Sequence, residues 1–308
     1  MVWTQDELEA RLRRVGEERY HDRHPFNARM HRGQLTPGEI RTWVRNRYYY
    51  QTRIPVKDAA ILAKSGDAGF RRAWIERIRD HDGERAGEGG LELWLRLAEA
   101  VGLDREEVAS LSGVLPGVAR ACDAYVEFVA GHDLLEAVAA SLTELFAGDI
   151  MATRIAAFER HYPWVDTRGL AYFRTRTRQA PRDAAFGLAF VRAQATTAEQ
   201  QQRCVAALER KCEILWSLLD AVEASGRRPR ISPHADLDAD RSLAVMPERA
   251  VELNATGCEI LALCDGTRSV AELGAAVSAR HAGDPQVVRD VHDFVDHMRD
   301  LGVLELRG

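Results

Sequence analysis

Hydrophobic residues recur every three to four positions through the first 225 residues, without sustained alternation of period two. This periodicity predicts a run of amphipathic helices and an all-α fold. Helix starts of the form Thr-x-x-Glu occur at Thr4, Thr36 and Thr196, where Thr and Glu side chains satisfy free backbone N–H groups. Glycine and proline separate further predicted helices at about 68–82, 90–102, 117–131, 134–160, 168–179 and 181–195.

The segment RNRYYYQTRIPVKDAAILA, residues 45–63, combines a helical pattern with an internal proline. At 3.6 residues per turn, its inward stripe holds polar as well as apolar side chains. Pro55 cannot donate to the carbonyl of Gln51, so we expect a bent helix with a free acceptor there. The spacing alone leaves open whether the cations on this stripe face a pocket or extend to solvent. The stripe consists of positions 43, 47, 50, 51, 54, 57, 58 and 61.

Two further helices carry polar groups on apolar faces. In FRRAWIERIRDHDGE, Arg77 and His81 share a stripe with Trp74 and Ile78. The nearly uncharged segment 134–160 places Glu144 in its apolar centre, and a buried carboxylate needs partners. The cations on the other helices exceed that need, which predicts an interior pocket for an anion. These cations are Arg47, Arg77, Arg154, Arg176 and Lys211.

The pattern changes towards the carboxyl end. RSLAVMPERAVELN, residues 241–254, contains two short extended runs around a proline, and three helices then begin at Asn254, Ser269 and Asp284. This order predicts a small winged-helix-like α+β module. We place a linker at 226–235, where glycine and prolines interrupt the helix signals. The predicted domains are therefore 1–225 and 236–308.

Charge and composition narrow the class of protein. From Ser232 onward the chain has 14 acidic residues against 7 Arg and no Lys, a net charge of -7, so the whole-chain value of -5 leaves +2 for residues 1–231. The acidic module is unsuited to nucleic acid, because phosphate contact needs a basic face. The five cysteines have no metal-ligand spacing. The charged N-terminus and the lack of a long apolar run predict a cytoplasmic protein.

Many blocks of residues 8–222 match one enzyme family in the same order. They include YHDRHPF (20–26), NRYYYQTRIPVKDAA (46–60), RIRDHDGE (77–84), YFRTRTRQAPRD (172–183) and ALERKCEILWSLLDA (207–221). These blocks closely resemble the pyrroloquinoline-quinone (PQQ) synthase, or PqqC, family. The tail MPERAVELNATGCEILALCDGTRSVAEL (246–273) resembles PqqD, a peptide-binding protein of the same pathway. The chain is thus expected to be a PqqC/D fusion.

The first resemblance implies a seven-helix heme-oxygenase-like bundle of the TenA/PqqC type, a homodimer, and neither a metal nor another cofactor. It also implies the last step of PQQ synthesis, in which the ring-open precursor AHQQ is closed and oxidised by O2 with release of H2O2. A polycarboxylate substrate calls for convergent Arg and Lys side chains. The substrate-binding positions carried over from the family are Tyr20, His21, Arg47, Gln51, Lys57, Arg77, Tyr125, Thr143, Glu144 and Arg154.

Four residues are expected to be catalytic. Histidine suits proton removal near neutral pH, so His81 is the candidate base. Tyr172 and Arg176, one helical turn apart, are expected to stabilise reduced oxygen together with Lys211. Met151 stands where the family commonly has a second pocket histidine, which leaves open a diverged scaffold that binds an intermediate without catalysis, or an oxidase with an altered substrate.

A di-iron site of the kind found in some relatives of this fold is the metal alternative. The turn that would need an Asp/His pair carries Tyr172 and Arg176, and Arg77 lies one turn before His81. These cations would repel iron, so we expect no metal. His21, His24 and His31 stand at helical spacing, but no carboxylate accompanies them convincingly.

The PqqD resemblance implies binding of the PqqA precursor peptide and its presentation to the radical-SAM enzyme PqqE. The peptide is expected to add as a strand to the sheet edge 249–253 and to pack against the helix 287–298. A solvated acidic face is the alternative interpretation of that helix. The candidate peptide-binding residues are Arg249, Val251, Leu253, Asp290, Asp293 and His297.

Overall fold

A computed structural model describes residues 1–238 and 242–307. Its contacts divide the chain into two units, Met1–Leu219 and Asp220–Gly308. The all-α prediction for the first part of the chain is confirmed. Its helices are α1 Gln5–Arg19, α2 Pro25–His31, α3 Pro37–Lys64, α4 Ala68–Asp82, α5 Gly89–Ala100, α6 Arg105–Ala109, α7 Pro116–Gly131, α8 Leu134–Ala140, α9 Glu144–His161, α10 Ala171–Gln194 and α11 Ala198–Ser225.

Two of the three predicted capping boxes are present as expected. Thr4 and Thr36 accept from backbone N–H groups at the third helical position, and the Glu residues there return the bond. The third box is shifted by one residue. The hydroxyl of Thr197 accepts from the backbone N–H of Gln200, and the side-chain oxygen of Gln200 accepts from the backbone N–H groups of Thr196 and Thr197. Since a Gln can replace Glu in this motif, the chain starts α11 one residue later than predicted.

Two predicted helix boundaries were wrong. The segment 134–160 is not one helix, because a short 3-10 turn at Ser141–Thr143 separates α8 from α9. Conversely, Pro181 does not end a helix and lies inside the continuous α10. A proline removes one backbone hydrogen bond, and the close packing of α10 on α8 and α9, with Ala180 and Ala184 buried, keeps the helix intact on both sides.

Aromatic residues form the centre of the first unit. Trp43 of α3 lies against Trp94 of α5, with ring centroids 5.5 Å apart. Phe158 of α9 and Phe173 of α10 complete the cluster at centroid distances of 6.5 and 6.4 Å from Trp43. Such rings bury large apolar areas. The cluster therefore ties α3, α5, α9 and α10 together and fixes the faces that carry the polar site.

The described residues of the second unit form two antiparallel sheets. Strands β1 Arg228–Ile231 and β5 Leu304–Arg307 pair with each other. Strands β2 Asp236–Asp238, β3 Leu243–Met246 and β4 Arg249–Glu252 form a three-stranded sheet in that order. The two runs predicted around Pro247 are β3 and β4, whereas β1, β2 and β5 were missed. Arg241, where the predicted run begins, lies outside the described residues.

The predicted linker 226–235 contains β1, so the linker prediction is wrong for those four residues. They pair with the distant β5, a long-range contact that local glycine and proline signals do not reveal.

Helices α12 Ala255–Ala262, α13 Val270–Arg280 and α14 Pro285–Asp300 complete this unit. Their apolar faces meet at Leu273, Val291 and Val295, which are all buried. Asn254 and Ser269 cap α12 and α13 as predicted.

Within the described ranges, no helix combines the length and the apolar character that a membrane crossing requires.

Candidate active site

A small cavity lies inside the first unit, where α3, α4, α9, α10 and α11 converge with the chain after α1. Its volume is about 40 Å³, which is room for one or two water-sized molecules. A larger ligand therefore enters only when the lining side chains move. The lining residues are Tyr20, His21, Arg47, Tyr50, Ile54, His81, Thr143, Glu144, Ala147, Met151, Tyr172, Arg176 and Leu215.

The residues carried over from the family are brought together. Together, the ten predicted substrate-binding positions and the four predicted catalytic residues make fourteen, and eight of them line the cavity. The other six are buried beside it: Gln51, Arg77 and Lys211 contact lining side chains, Lys57 and Lys211 lie against Tyr125, and Arg154 is linked to His21 through Asn27. Their roles in binding or catalysis stay predictions, but their convergence makes this cavity the candidate site.

One side of the site is a compensated ion cluster. Arg176 contacts Glu144 at 2.5 Å and Asp183 at 3.3 Å. Arg77 lies 3.3 Å from both Asp58 and Glu144. Burial favours the neutral form of Glu144, but Arg176 and Arg77 outweigh it and lower the pKa of the carboxyl. These charges hold α3, α4, α9 and α10 in fixed register around the cavity.

Lys57 belongs to the same cluster. Its ammonium lies 2.6 Å from Asp58 and donates to Ser141 at 3.3 Å. Burial lowers the pKa of Lys57 to about 8, although Asp58 opposes the shift. Asp58 is fully buried and also accepts from the indole of Trp74 at 2.9 Å. Three cations, on Lys57, Arg77 and Arg176, thus face three carboxylates.

The other side carries cations without carboxylates. Among residues 1–238 and 242–307, no ion pair involves Arg47, Arg154 or Lys211, and each has a buried nitrogen without a hydrogen-bond partner. Aromatic faces lie beside them instead. Lys211 Nζ is 3.5 Å from the ring centre of Tyr125, and the Arg47 guanidinium is 4.0 Å from that of Tyr50.

Burial and mutual repulsion act on these unpaired cations. The pKa of Lys211 is lowered well below its usual value, first by burial and then by Arg47. The pKa of Arg154 is lowered to about 9 for the same two reasons. An anion placed among them would relieve both effects, because it would pair the charges and replace missing hydrogen bonds. The site is therefore built to receive a negatively charged ligand.

His81 lines the cavity, and the ring nitrogen of interest is its Nε2. Its Nδ1 lies 3.0 Å from the carbonyl oxygen of Arg77, and its Nε2 is buried and has no hydrogen-bond partner within the described part of the chain. Burial, followed by the charge of Arg176, lowers the pKa of His81 to about 4. The imidazole is therefore neutral near pH 7, which is the state a proton acceptor needs.

Two tyrosines are fixed by hydrogen bonds. Tyr172 donates to Gln51 Oε1 at 2.8 Å, and Tyr125 lies 3.2 Å from the hydroxyl of Ser141. Burial raises the pKa of both phenols. They remain protonated at neutral pH and act as hydrogen-bonding groups of defined position.

Three buried polar residues of the site had not been selected from the sequence as functional. Asp58, a member of the predicted inward stripe, joins the ion cluster. Asp183 pairs with Arg176 from seven residues further along α10, so it could have been found as a carboxylate on the same face. Asn27 donates to His21 and accepts from Arg154 at 3.1 Å. No local pattern marks Asn27, because its partners lie on other segments.

Met151 lines the cavity and is buried. Its thioether neither donates a proton nor holds a charged hydrogen bond. In the parts of the chain that are described, no group of three or more His, Cys, Asp and Glu side chains is arranged to hold a metal ion.

The candidate peptide-binding residues lie in the second unit. Strand β4 is an edge of its sheet, as the peptide hypothesis requires, and Arg249 at its start is exposed. Val251 and Leu253 pack against the core of their own unit. Their roles in peptide binding stay predictions, as does strand addition at the backbone edge of β4.

On α14, Asp290 accepts from Gln286, while Asp293 and His297 are exposed. Arg299 forms ion pairs with Asp296 and Asp300, which reduces the net negative charge of the acidic face of α14.

Comparison with known proteins identifies the family. Residues 9–221 match the TENA/THI-4/PQQC family. The chain belongs to this family. Residues 242–304 match the coenzyme PQQ synthesis protein D (PqqD) family. Both predicted resemblances are thereby confirmed, and the chain combines a PqqC-type and a PqqD-type region.

The curated relatives are PQQ synthases. The chain is 49% identical to pyrroloquinoline-quinone synthase of Gluconobacter oxydans over 75% of this chain and 97% of that protein. It is 53% identical to that of Rhizobium meliloti, over 73% and 89%. It is also 48% identical to the bifunctional coenzyme PQQ synthesis protein C/D of Methylorubrum extorquens, over 75% and 62%.

Solved structures support the fold. A Shewanella denitrificans domain of unknown function with a heme oxygenase-like fold matches with a TM-score of 0.59 at 17% identity, over 72% of this chain and 93% of that one. A TenA homologue protein from P. horikoshii OT3 matches with a TM-score of 0.57 at 12% identity, over 70% of this chain and 97% of that one. The predicted heme-oxygenase-like bundle is confirmed.

Proposed function

We propose that the PqqC-type unit catalyses the last step of PQQ synthesis, the ring closure and oxidation of AHQQ by O2 with release of H2O2. The observation that carries this proposal is the buried excess of cations on Arg47, Arg154 and Lys211. A substrate with several carboxylates supplies the anions that these groups lack. The similarity to PQQ synthases over most of the chain supports the same reaction.

Proton removal is assigned to His81. Its neutral imidazole has a free Nε2 in the cavity, so it can accept a proton from the bound precursor before each oxidation. Because O2 takes electrons directly from an electron-rich enolate or quinol, the reaction proceeds without metal or organic cofactor. O2 is then a co-substrate and PQQ is the product.

Oxygen reduction is assigned to the groups around Tyr172, Arg176 and Lys211. Tyr172 and Arg176 both line the cavity, one turn apart on α10. The charge of Arg176 is balanced by Glu144 and Asp183, whereas Lys211 has no carboxylate partner among the residues that the structure describes. We therefore assign the larger part in stabilising a superoxide or peroxide anion to Lys211.

The PqqD-type unit binds the PqqA precursor peptide in this proposal and presents it to the radical-SAM enzyme PqqE. The free edge of β4 supports strand addition. The protein acts as a cytoplasmic homodimer, with domains near 1–225 and 236–308.

Anaerobic mixing with AHQQ, followed by a pulse of O2, tests the proposed reaction. Quinone absorbance and stoichiometric peroxide should appear in the wild type within one turnover, and His81→Gln should bind AHQQ but form product far more slowly. A wild-type protein that binds AHQQ and forms no quinone after oxygen contradicts the enzyme proposal. That result would favour the alternative of a non-catalytic scaffold, which the thioether of Met151 in the cavity wall motivates.

A further inference from the structure

Asn27 has an orientation that its partners fix completely. It is fully buried on α2, and its amide nitrogen lies 2.6 Å from the backbone oxygen of His21 and 2.9 Å from Nδ1 of the same residue. Its oxygen lies 3.1 Å from a guanidinium nitrogen of Arg154. A guanidinium only donates and a carbonyl only accepts. The amide therefore points its NH2 group at His21 and its oxygen at Arg154.

This arrangement determines where the ring proton of His21 sits. An amide nitrogen donates and has no lone pair to accept with. Nδ1 of His21 must therefore accept from Asn27, so the proton of the neutral ring is on Nε2. Because Nδ1 is occupied, Nε2 is the nitrogen that His21 can present to a ligand in the cavity it lines.

His81 is held in the opposite tautomer. Its Nδ1 lies 3.0 Å from the backbone oxygen of Arg77, which only accepts. Nδ1 therefore carries the proton, and Nε2 has the lone pair. The same cavity thus contains one histidine that donates a hydrogen bond and one that accepts.

Neighbouring cations keep both rings neutral. Burial and then Arg47, Arg154 and Lys211 lower the pKa of His21 well below its usual value. For His81, burial acts first and the charge of Arg176 second. A neutral imidazole donor is well matched to an oxyanion, because it strengthens its bond as negative charge develops without adding a proton beforehand.

We infer that Asn27 is a positioning residue that holds His21 as a neutral hydrogen-bond donor to an oxygen of the substrate, in the same cavity as the acceptor His81. This inference rests on the proposed function. When Nε2 of His81 takes a proton from a substrate C–H bond, the bonding electron pair moves onto the adjacent carbonyl oxygen to give an enolate. Nε2–H of His21 hydrogen-bonds that oxygen and keeps its own proton.

The tautomers can be measured without substrate. In full-length protein with 15N-labelled histidines, NMR at neutral pH should show His21 protonated on Nε2 and His81 protonated on Nδ1, with signals assigned by their loss in His21→Gln and His81→Gln. The tautomers are read from the wild-type spectrum and the variants serve only to assign its signals, so His21→Asn or His81→Asn supplies the assignment where the Gln variant folds poorly. Protonation of His21 on Nδ1 overturns the inference.

Asn27→Ala tests the role of the amide, with Asn46→Ala as the matched control. Asn46 is equally buried but bonds Thr42 and Leu115, and it does not line the cavity. We expect Asn27→Ala to lose the single His21 tautomer and to slow single-turnover oxidation of bound AHQQ about 10- to 100-fold, with little change in AHQQ affinity. Asn46→Ala should retain both properties.

The NMR measurement and the oxidation assay together distinguish failure of this inference from failure of the proposed function. An unchanged His21 spectrum in Asn27→Ala, or an unchanged oxidation rate, overturns the positioning role. Wild-type protein that has the expected tautomers but does not oxidise AHQQ contradicts the proposed reaction, and the donor and acceptor assignments of the two histidines stand.

Discussion

Individual side chains decide what the cavity can bind. The residues predicted from sequence as polar members of apolar stripes do converge, since helical periodicity places them on inward faces. Periodicity does not state which charges pair. Asp58 and Asp183 both pair with Arg77 of another helix, and Asn27 links His21 to Arg154 across three segments. These contacts depend on tertiary packing, which cannot be deduced from the spacing of residues along the sequence.

His81 should make stability depend on pH. Its folded pKa of about 4 lies below the unfolded value near 6.5, so the unfolded chain takes up the proton first as pH falls. Stability that is present above pH 6.5 is therefore lost between pH 6.5 and 4, by about 3 kcal/mol from this residue.

Denaturant unfolding over this pH range measures the effect. The loss of unfolding free energy should be smaller in His81→Gln by that amount, whereas the exposed His234→Gln should behave like wild type. Parallel curves for all three proteins would disprove the assignment of a buried neutral imidazole.

Sequence prediction succeeded best for the helices. Its errors have a common cause, which is that tertiary contacts outweigh local signals. Capping residues located the starts of α1, α3, α12, α13 and α14, because they act within one turn. Pro181 predicts a break between two helices, but it lies inside α10, because packing on α8 and α9 outweighs one lost hydrogen bond. Strand β1 lies within the predicted linker. Its partner, β5, lies more than seventy residues away along the chain, so local sequence signals do not reveal the pairing.

The contact between α1 and α9 gives a prediction for helix packing. A Cβ atom on Gly16 of α1 would lie 2.0 Å from the ring of Phe146 on α9, whereas one on Gly148 would meet nothing closer than 3.9 Å. Gly16→Ala should reduce the unfolding free energy by about 1–3 kcal/mol through overpacking. Gly148→Ala should increase it by up to about 1 kcal/mol through helix propensity.

Both variants replace glycine by alanine within a helix, so their opposite signs in chemical denaturation isolate packing from propensity. Equal shifts of the same sign would show that α1 and α9 do not pack as described.

The whole molecule joins two units with separate cores. Leu273 is fully buried in the core of the second unit, and Leu273→Ala should destabilise that unit by about 2–5 kcal/mol. We expect this variant to lose binding of the PqqA leader in calorimetry while retaining the wild-type rate of AHQQ oxidation.

His81→Gln provides the reciprocal control, with leader binding retained and oxidation lost. Loss of both activities in either variant would contradict the assignment of one function to each unit.

Arg47, Arg154 and Lys211 of the first unit are buried cations without a carboxylate partner among the described residues, and a polyanion would pair with them. The most direct test is the thermal shift that PQQ produces in wild-type protein and in Lys211→Met. Burying an unpaired ammonium is unfavourable, and Met fills a similar volume without charge. We predict that Lys211→Met raises Tm without ligand and gains much less from PQQ than wild type does. A lowered Tm without ligand together with an undiminished PQQ shift would contradict the account.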